Sequence, residues 1–168
     1  MPLVLTGAGA ITGLTSVPSS GLQLADANMP TGSVLQVVNA TLGPSTVTTS
    51  SATRSNTGLS ASITPISASS KILVSVSMVG CEKASNGYLA FWLMRDSTDL
   101  LSFEGQGGYA GTSSTNSFGS CSTTYLDSPS TTSATTYKVQ FSSVNAGGQV
   151  GFNNSNSTST ITLMEIAA

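Results

Sequence analysis

Large apolar side chains recur at every second position in much of this chain, from Gly32 onward. No stretch repeats them at the 3.6-residue spacing of an α-helix. The segment Lys71–Val79 is the clearest case, and its alternate positions are occupied by Ile72, Val74, Val76 and Met78. In a strand these four side chains lie on one face, and that face must be turned toward a core. The sequence therefore predicts an all-β protein.

Ten candidate segments show this alternation or a short β-branched run, with turn residues between them, and they predict eight to ten strands. They are Ser33–Val38, Thr46–Thr49, Leu59–Ile63, Lys71–Val79, Tyr88–Arg95, Leu100–Glu104, Phe118–Leu126, Thr136–Ser142, Val150–Phe152 and Thr160–Ile166. Asp96–Asp99 and Asn145–Gly148 are predicted hairpin turns, and Gly105–Ser114 is a predicted glycine-rich loop. Strands this short and this frequent in 168 residues indicate one jelly-roll-like antiparallel β-sandwich.

Residues 1–33 have a different character, because glycine and proline interrupt them at short intervals. No useful length of helix fits between these residues, and the apolar triplets between them are unlike a plain flexible linker. We predict an extended N-terminal attachment arm over residues 1–33 and a β-sandwich domain over residues 34–168. The alternative is a disordered leader. The arm residues expected to make the attachment are Leu3, Val4, Leu5, Ile11 and Leu14.

Groups that commonly carry catalysis are scarce in this chain. It has no histidine, two cysteines and only 7% charged residues, whereas about a third of it is Ser or Thr. Acid–base and nucleophilic catalysis draw on histidine, cysteine, lysine or paired carboxylates. We therefore expect a protein that binds and assembles without enzymatic activity, and that uses no metal and no cofactor.

The distribution of charge also restricts the partners. The net charge is −2 and the five basic residues are scattered singly, so we expect no basic patch and no nucleic-acid partner. No apolar run approaches the ~18 residues that cross a bilayer, and we expect no membrane insertion. Cys81 and Cys121 could form a disulfide, but two buried thiols in a reducing cytoplasm are the favoured interpretation.

The aromatic residues divide into two groups. Tyr88, Phe91 and Trp92 lie in an apolar strand and are expected in the core. Tyr109 instead lies in a loop of glycine and serine, where nothing local buries it. Loops on rigid sandwiches often carry recognition, so we expect a surface recognition site here. Its candidate residues are Gln106, Tyr109, Asn116 and Phe118.

The last predicted strand, Thr160–Ile166, carries large apolar residues on both faces. One face, with Ile161, Leu163 and Glu165, can enter the sandwich core. The opposite face needs a partner, and a copy of the same protein is the simplest one. The candidate oligomer contacts are Thr162, Met164 and Ile166.

Several segments of the chain, taken together, resemble small virion proteins of bacteriophages, especially phages of aquatic bacteria. The segments are MPLVLTGAGAITGL, GSVLQVVNAT, SASSKILVSVSM, FWLMRDSTDLL, YLDSPSTTSATTYKVQF and STITLMEIAA. Similar modules occur as tail-fibre or other virion-surface domains. The alternation is also similar, more weakly, to the C1q/TNF-like jelly roll, which assembles as a trimer.

These resemblances imply a non-enzymatic structural protein of the virion, assembled in the host cytoplasm. In a tail-fibre or adhesin-like role, the arm would attach to other virion proteins, and a homotrimeric sandwich would recognise a host-surface glycan or receptor. In the alternative role, a capsid decoration (cement) protein, the arm would hold neighbouring subunits of the phage head. No binding residue of either family is carried over to this sequence.

Overall fold

The computed structural model describes residues 29–84, 86–108 and 115–168. Within these residues, ten strands are present at the ten predicted places. They are β1 (Val34–Leu42), β2 (Val47–Thr49), β3 (Ser55–Ile63), β4 (Lys71–Lys83), β5 (Leu89–Arg95), β6 (Thr98–Gly107), β7 (Asn116–Asp127), β8 (Thr135–Ser143), β9 (Val150–Phe152) and β10 (Ser159–Ile166). A 3₁₀ turn, Asn154–Asn156, lies between β9 and β10.

The strands form two antiparallel sheets. In the first sheet β1 pairs with β10, β10 with β4, and β4 with β7. The short strand β9 pairs with the end of β4, and β2 pairs with β9. The second sheet has the order β3-β8-β5-β6. The first strand therefore lies beside the last, as in a jelly roll. The predicted antiparallel β-sandwich is confirmed.

The core lies between the two sheets and follows the predicted alternation. Ile72, Val74, Val76 and Met78 of β4 are each at most 1% exposed. Tyr137, Val139 and Phe141 of β8 face them from the second sheet and are also buried. The rings of Phe91, Phe141 and Phe152 contact one another, with centroids 5.2–6.5 Å apart. These inner faces supply the apolar burial that stabilises the sandwich.

The predicted aromatic cluster is only partly in the core. Phe91 is fully buried, but Trp92 is half-buried on the outer face of the second sheet, where the Arg54 guanidinium lies 4.1 Å from its ring centroid. Tyr88 precedes β5 and is half-buried as well. The core prediction was therefore wrong for Trp92, because successive side chains of β5 alternate between the inner and outer faces. A cation above the ring stabilises it there instead.

One carboxylate ties the two sheets together at one end of the sandwich. Asp127, at the end of β7, accepts hydrogen bonds from Arg95 Nη1 at 2.7 and 2.9 Å and from the Tyr137 hydroxyl at 2.6 Å. Arg95 and Tyr137 belong to the second sheet, whereas Asp127 belongs to the first. Burial and the Asp127 carboxylate raise the pKa of Tyr137 well above its usual value. We call this end, where β1 begins, the base and the opposite end, where β4 ends, the top.

A β-bulge around Gly80 changes the face that β4 presents to the core, because its pairing with β7 shifts there. Up to Met78 the even-numbered side chains face inward, and beyond the bulge Cys81 and Lys83 do. Gly80 has φ +59°, and a Cβ at this position would lie 2.6 Å from the backbone nitrogen of Asn154. The bulge thus requires glycine both for its backbone conformation and for the close approach of the neighbouring turn.

We expect Gly80→Ala to destabilise the fold strongly, and Gly119→Ala is the matched control. Gly119 also has positive φ, +93°, but a Cβ there meets nothing within 4 Å. Gly119→Ala should therefore lower the free energy of unfolding by only about 1–2 kcal/mol, the cost of the left-handed conformation. Gly80→Ala should lower it by roughly 1–3 kcal/mol more because of overpacking. Urea denaturation measures both, and equal losses would contradict the steric role of Gly80.

Candidate functional site

The described members of the predicted recognition site lie together at the top of the sandwich. Gln106 is exposed near the end of β6, and Asn116 is exposed where β7 begins. Phe118 follows in β7 and is half-buried. Tyr109, the fourth candidate, lies outside the described residues. The structure therefore places three of the four candidates at the top ends of two strands, β6 in the second sheet and β7 in the first.

The Phe118 ring packs against the protein and is only half-exposed. A Cβ on Gly107 would lie 3.0 Å from the Phe118 ring, and one on Gly108 would lie 2.7 Å from it. The ring therefore lies directly on this glycine backbone. The Lys83 stem reaches the same place, because its Cγ would be 3.1 Å from a Cβ on Gly108.

Lys83 is the residue at the top that sequence reasoning missed. Its side chain is fully buried, and its ammonium has no hydrogen-bond partner among the described residues. Buried lysines are rare, and an unpartnered one calls for an explanation. The predicted strand ended at Val79, before Lys83. An isolated glycine at position 80, inside an alternating pattern, was the available signal for a bulge and a change of face.

A cavity of about 190 Å³ adjoins Lys83 at the top. Its lining residues are Glu82, Lys83, Ala84, Thr115, Gln149 and Val150. Thr115 and Gln149 are exposed and supply a hydroxyl and an amide, both uncharged. Glu82 is the one acidic residue of the lining, and its carboxylate is hydrogen-bonded by Asn154. Lys83 is the one basic residue of the lining, beside these two neutral polar groups.

The two glutamates near this cavity are engaged elsewhere. The Glu82 carboxylate accepts a hydrogen bond from Asn154 Nδ2. The Glu104 carboxylate accepts from the backbone nitrogens of Gly105 and Gln106, each at 2.9 Å. Neither glutamate forms an ion pair with Lys83 within the described part of the chain.

The two cysteines are free, buried thiols on neighbouring strands, in agreement with the prediction. Cys121 Sγ lies 3.8 Å from Glu104 Oε2, and Cys81 Sγ lies 3.6 Å from the Met78 carbonyl oxygen. Hydrogen bonding to Cys81, burial and the nearby Glu104 carboxylate raise the pKa of Cys121 far above its usual value. A thiol held protonated in this way is a poor nucleophile.

The predicted oligomer contacts lie on the outer face of the first sheet. Ile161, Leu163 and Glu165 are buried inside, whereas Thr162, Met164 and Ile166 are half-buried outside. Strand register aligns four apolar side chains from four strands across this face, and we call this row the outer stripe. It consists of Val37, Met164, Leu73 and Leu126.

The rows above the outer stripe are uncharged and polar. The next row contains Asn39, Thr162, Ser75 and Thr124, and the one after it contains Thr41, Thr160, Ser77 and Ser122. Val37 is 56% exposed and Leu126 is 48% exposed, so the stripe is open to solvent at both ends. An ordered apolar row of this kind on a monomer surface commonly marks an interaction site.

A second cavity, of about 360 Å³, lies at the base. Its apolar lining comes from Met29, Leu35, Ile66 and the last two alanines, and its polar lining comes from Ser67, Ser69 and Ser70. The chain enters the sandwich beside this cavity, where Gly32 donates a hydrogen bond to the Ala167 carbonyl at 2.8 Å. The predicted arm residues Leu3, Val4, Leu5, Ile11 and Leu14 lie outside the described residues.

Glu165 fixes the loop between β3 and β4, which contains Ile66 and Ser67, at the base of the sandwich. Its carboxylate accepts hydrogen bonds from Gln36 Nε2 at 2.6 Å, from the Ile66 backbone nitrogen at 2.8 Å and from that of Ser67 at 3.4 Å. Burial opposes the charged form, but these hydrogen bonds outweigh it and lower the pKa of Glu165. The sequence pattern placed Glu165 inward without revealing these partners, which come from distant parts of the chain.

Comparison with known proteins yields similarity of fold alone. No protein-family model matches the sequence, and no curated protein matches it. Among solved structures, the chain is similar to the crystal structure of an infectious bursal disease virus VP2 subviral particle, with a TM-score of 0.40 and 15% identity. The match covers 81% of this chain and 38% of that one. It concerns the β-sandwich alone, and no functional residue is carried over.

Two further properties concern membranes and metals. Within the described part of the chain, no helix is long and apolar enough to cross a membrane. No three His, Cys, Asp or Glu side chains in the same residues cluster so as to hold a metal ion.

We expect the stability of the fold to fall in acid partly through Glu165. The pKa of Glu165 is lower in the folded state than in the unfolded state. Its contribution to the free energy of unfolding is therefore complete above the unfolded-state pKa of about 4.3, and it is lost as the pH falls through the folded-state pKa. Glu165→Gln should lower the free energy of unfolding at pH 7 by about 1–3 kcal/mol and flatten its dependence on pH below about 5. Urea denaturation from pH 3 to 7 measures this. Asp99→Asn controls for the loss of one charge, because its exposed ion pair with Arg54 contributes only about 0–1 kcal/mol. An unchanged acid profile in Glu165→Gln would contradict the assignment.

Proposed function

We propose that this protein is a non-enzymatic structural protein of the bacteriophage virion surface, tail-fibre- or adhesin-like. Copies assemble through the outer stripe, the arm of residues 1–33 attaches them to other virion proteins, and the top of the sandwich recognises a host surface. The outer stripe is the observation that carries this proposal. The resemblance of the sequence segments to phage virion proteins supports the virion as the location.

The outer stripe favours a second copy of this chain as its partner. The stripe and the polar rows above it contain no charged side chain, whereas the next row toward the base contains exposed Lys71 opposite Ile166. A copy docked on the stripe and the rows above it desolvates no charge of those rows. The Ser, Thr and Asn side chains of those rows can both donate and accept hydrogen bonds, so the face is complementary to itself. The similarity to C1q/TNF-like jelly rolls supports a homotrimer.

The base is the end from which the arm attaches. Met29, the first described residue, lines the base cavity together with the C-terminal alanines. Attachment at the base leaves the top free, and the predicted recognition residues Gln106 and Asn116 are exposed there. This division of roles between the two ends suits a projecting module whose distal loops recognise a partner.

A capsid decoration (cement) protein is the second candidate. The same arm and the same uncharged sandwich would serve to hold neighbouring head subunits. The weaker similarity to a subviral particle structure concerns the fold and does not separate the two roles.

Deletion of residues 1–33 from the phage-encoded protein distinguishes these two roles. Loss of host attachment with heads of normal heat stability is the expected result for a fibre. Heads that release DNA on mild heating, with attachment unchanged in the surviving particles, would establish decoration instead. Electron microscopy of particles labelled with an antibody to this chain locates it independently, and its absence from all particles would contradict both roles.

We expect a charge in the outer stripe to dissociate the oligomer. Val37 is 56% exposed, so Val37→Asp should fold normally and yet bring an unpaired carboxylate into the apolar contact. Val144→Asp is the matched control, because Val144 is 46% exposed but lies in the loop after β8. Sedimentation should show monomers for Val37→Asp and wild-type oligomers for Val144→Asp. High salt should leave the wild type unchanged, since apolar burial rather than ion pairs holds it. A monomeric wild type at micromolar concentration would contradict the trimer.

A further inference from the structure

Lys83 is the one buried basic side chain in the described part of the chain, and it is unpartnered. It is 0% exposed, whereas Lys71 at the base is exposed. Its ammonium forms neither a hydrogen bond nor an ion pair with any described residue. An ammonium removed from water without an opposite charge destabilises the fold, and pairing it with an anion would recover part of that loss. A buried polar group without a partner calls for an explanation, and a bound ion is one of them.

The acidic side chains nearby do not supply that charge. Glu82 precedes Lys83 in β4 and is also among the residues that line the cavity, but its carboxylate accepts a hydrogen bond from Asn154 and forms no ion pair with Lys83. The Glu104 carboxylate is held by two backbone nitrogens and lies next to Cys121 Sγ. The anion must therefore come from outside the described part of the chain.

The cavity beside Lys83 indicates the size and the chemistry of the ligand. At about 190 Å³ it is smaller than the roughly 300–1,000 Å³ of sites for drug-sized ligands, so it admits one small unit. The exposed Thr115 hydroxyl and Gln149 amide on its lining can bind the hydroxyl groups of a sugar. A neutral sugar would satisfy these two groups and leave Lys83 unpaired, whereas an acidic sugar would satisfy all three.

We propose that this top cavity binds the carboxylate of an acidic monosaccharide unit, such as a uronate, with Lys83 as its ion partner and Thr115 and Gln149 as its hydroxyl partners. This inference rests on the proposed host-surface role and gives the recognised surface a chemical class, an acidic polysaccharide. Lys83 and the exposed Gln106 and Asn116 lie at the same end of the sandwich, so the rest of the polysaccharide can extend over these residues.

The experiment uses the full chain and sodium glucuronate as the probe, with glucose, sodium chloride and inorganic phosphate as comparison ligands. Thermal unfolding and calorimetric titration are measured at constant ionic strength. A ligand that binds only the folded state raises the unfolding temperature in proportion to the logarithm of its concentration. Glucuronate should raise it, and glucose and chloride should not. An equal response to glucose, or a response to phosphate alone, would overturn the proposal.

Variants assign the binding to this cavity. Lys83→Met keeps the stem that packs near Phe118 and removes the buried charge, so it should fold and should bind glucuronate about tenfold more weakly or worse. Lys71→Met, at an exposed lysine, should bind like the wild type. If Lys83→Met does not fold, Gln149→Ala provides the test at an exposed position, with an expected loss of roughly threefold to tenfold. Wild-type affinity in a folded Lys83→Met, or in Gln149→Ala, refutes the site.

The outcome is independent of the test of the proposed function. Particle labelling and sedimentation report on location and assembly, whatever the cavity binds. Glucuronate binding by a chain absent from the virion would uphold the site and refute the host-surface role. An oligomer that is located in the virion but does not bind glucuronate would uphold the proposed role and refute the site.

Discussion

The β-bulge around Gly80 is the constraint on which the upper half of the sandwich depends. A strand cannot change the face that it presents to the core unless a residue is inserted into its pairing. The insertion in β4 brings Cys81 and Lys83 inward and leaves Glu82 outside. The turn between β9 and β10 fits against the bulge, and the Asn153 backbone nitrogen donates to the Val79 carbonyl at 2.8 Å. A lysine therefore lies inside the top because of the way in which β4 is bent.

Buried charged side chains have hydrogen-bond partners at the base of the sandwich, whereas the one at the top has none among the described residues. At the base, Asp127 receives hydrogen bonds from Arg95 and Tyr137, and Glu165 receives them from Gln36 and two backbone nitrogens. At the top, the Lys83 ammonium has no partner among the described residues. Satisfied charges rigidify a structure, whereas an unsatisfied one leaves interaction free energy for a ligand. This asymmetry is consistent with the ligand site that we propose at the top.

The sequence predicted the sandwich because alternation in strands such as Lys71–Val79 depends only on neighbours in the chain. Trp92 was misplaced because an almost wholly apolar strand does not show which of its faces is inner. Lys83 was missed because the direction of a bulge depends on a turn more than 70 residues away in sequence, at Asn154. The hydrogen bonds of Glu165 join three separate parts of the chain, and no local pattern encodes such a contact.

Composition bears on the assembly role that we propose for the outer stripe. With 7% charged residues, this protein covers its sheets mainly with hydroxyl and amide groups, which keep the surface hydrophilic without strong mutual repulsion. On such a surface, charge complementarity cannot select a partner or an orientation. The row formed by Val37, Leu73, Leu126 and Met164 differs from the polar rows above it by hydrophobicity alone. Since strand pairing aligns the row, the register of the first sheet would also set the register of contact between two copies in the proposed assembly.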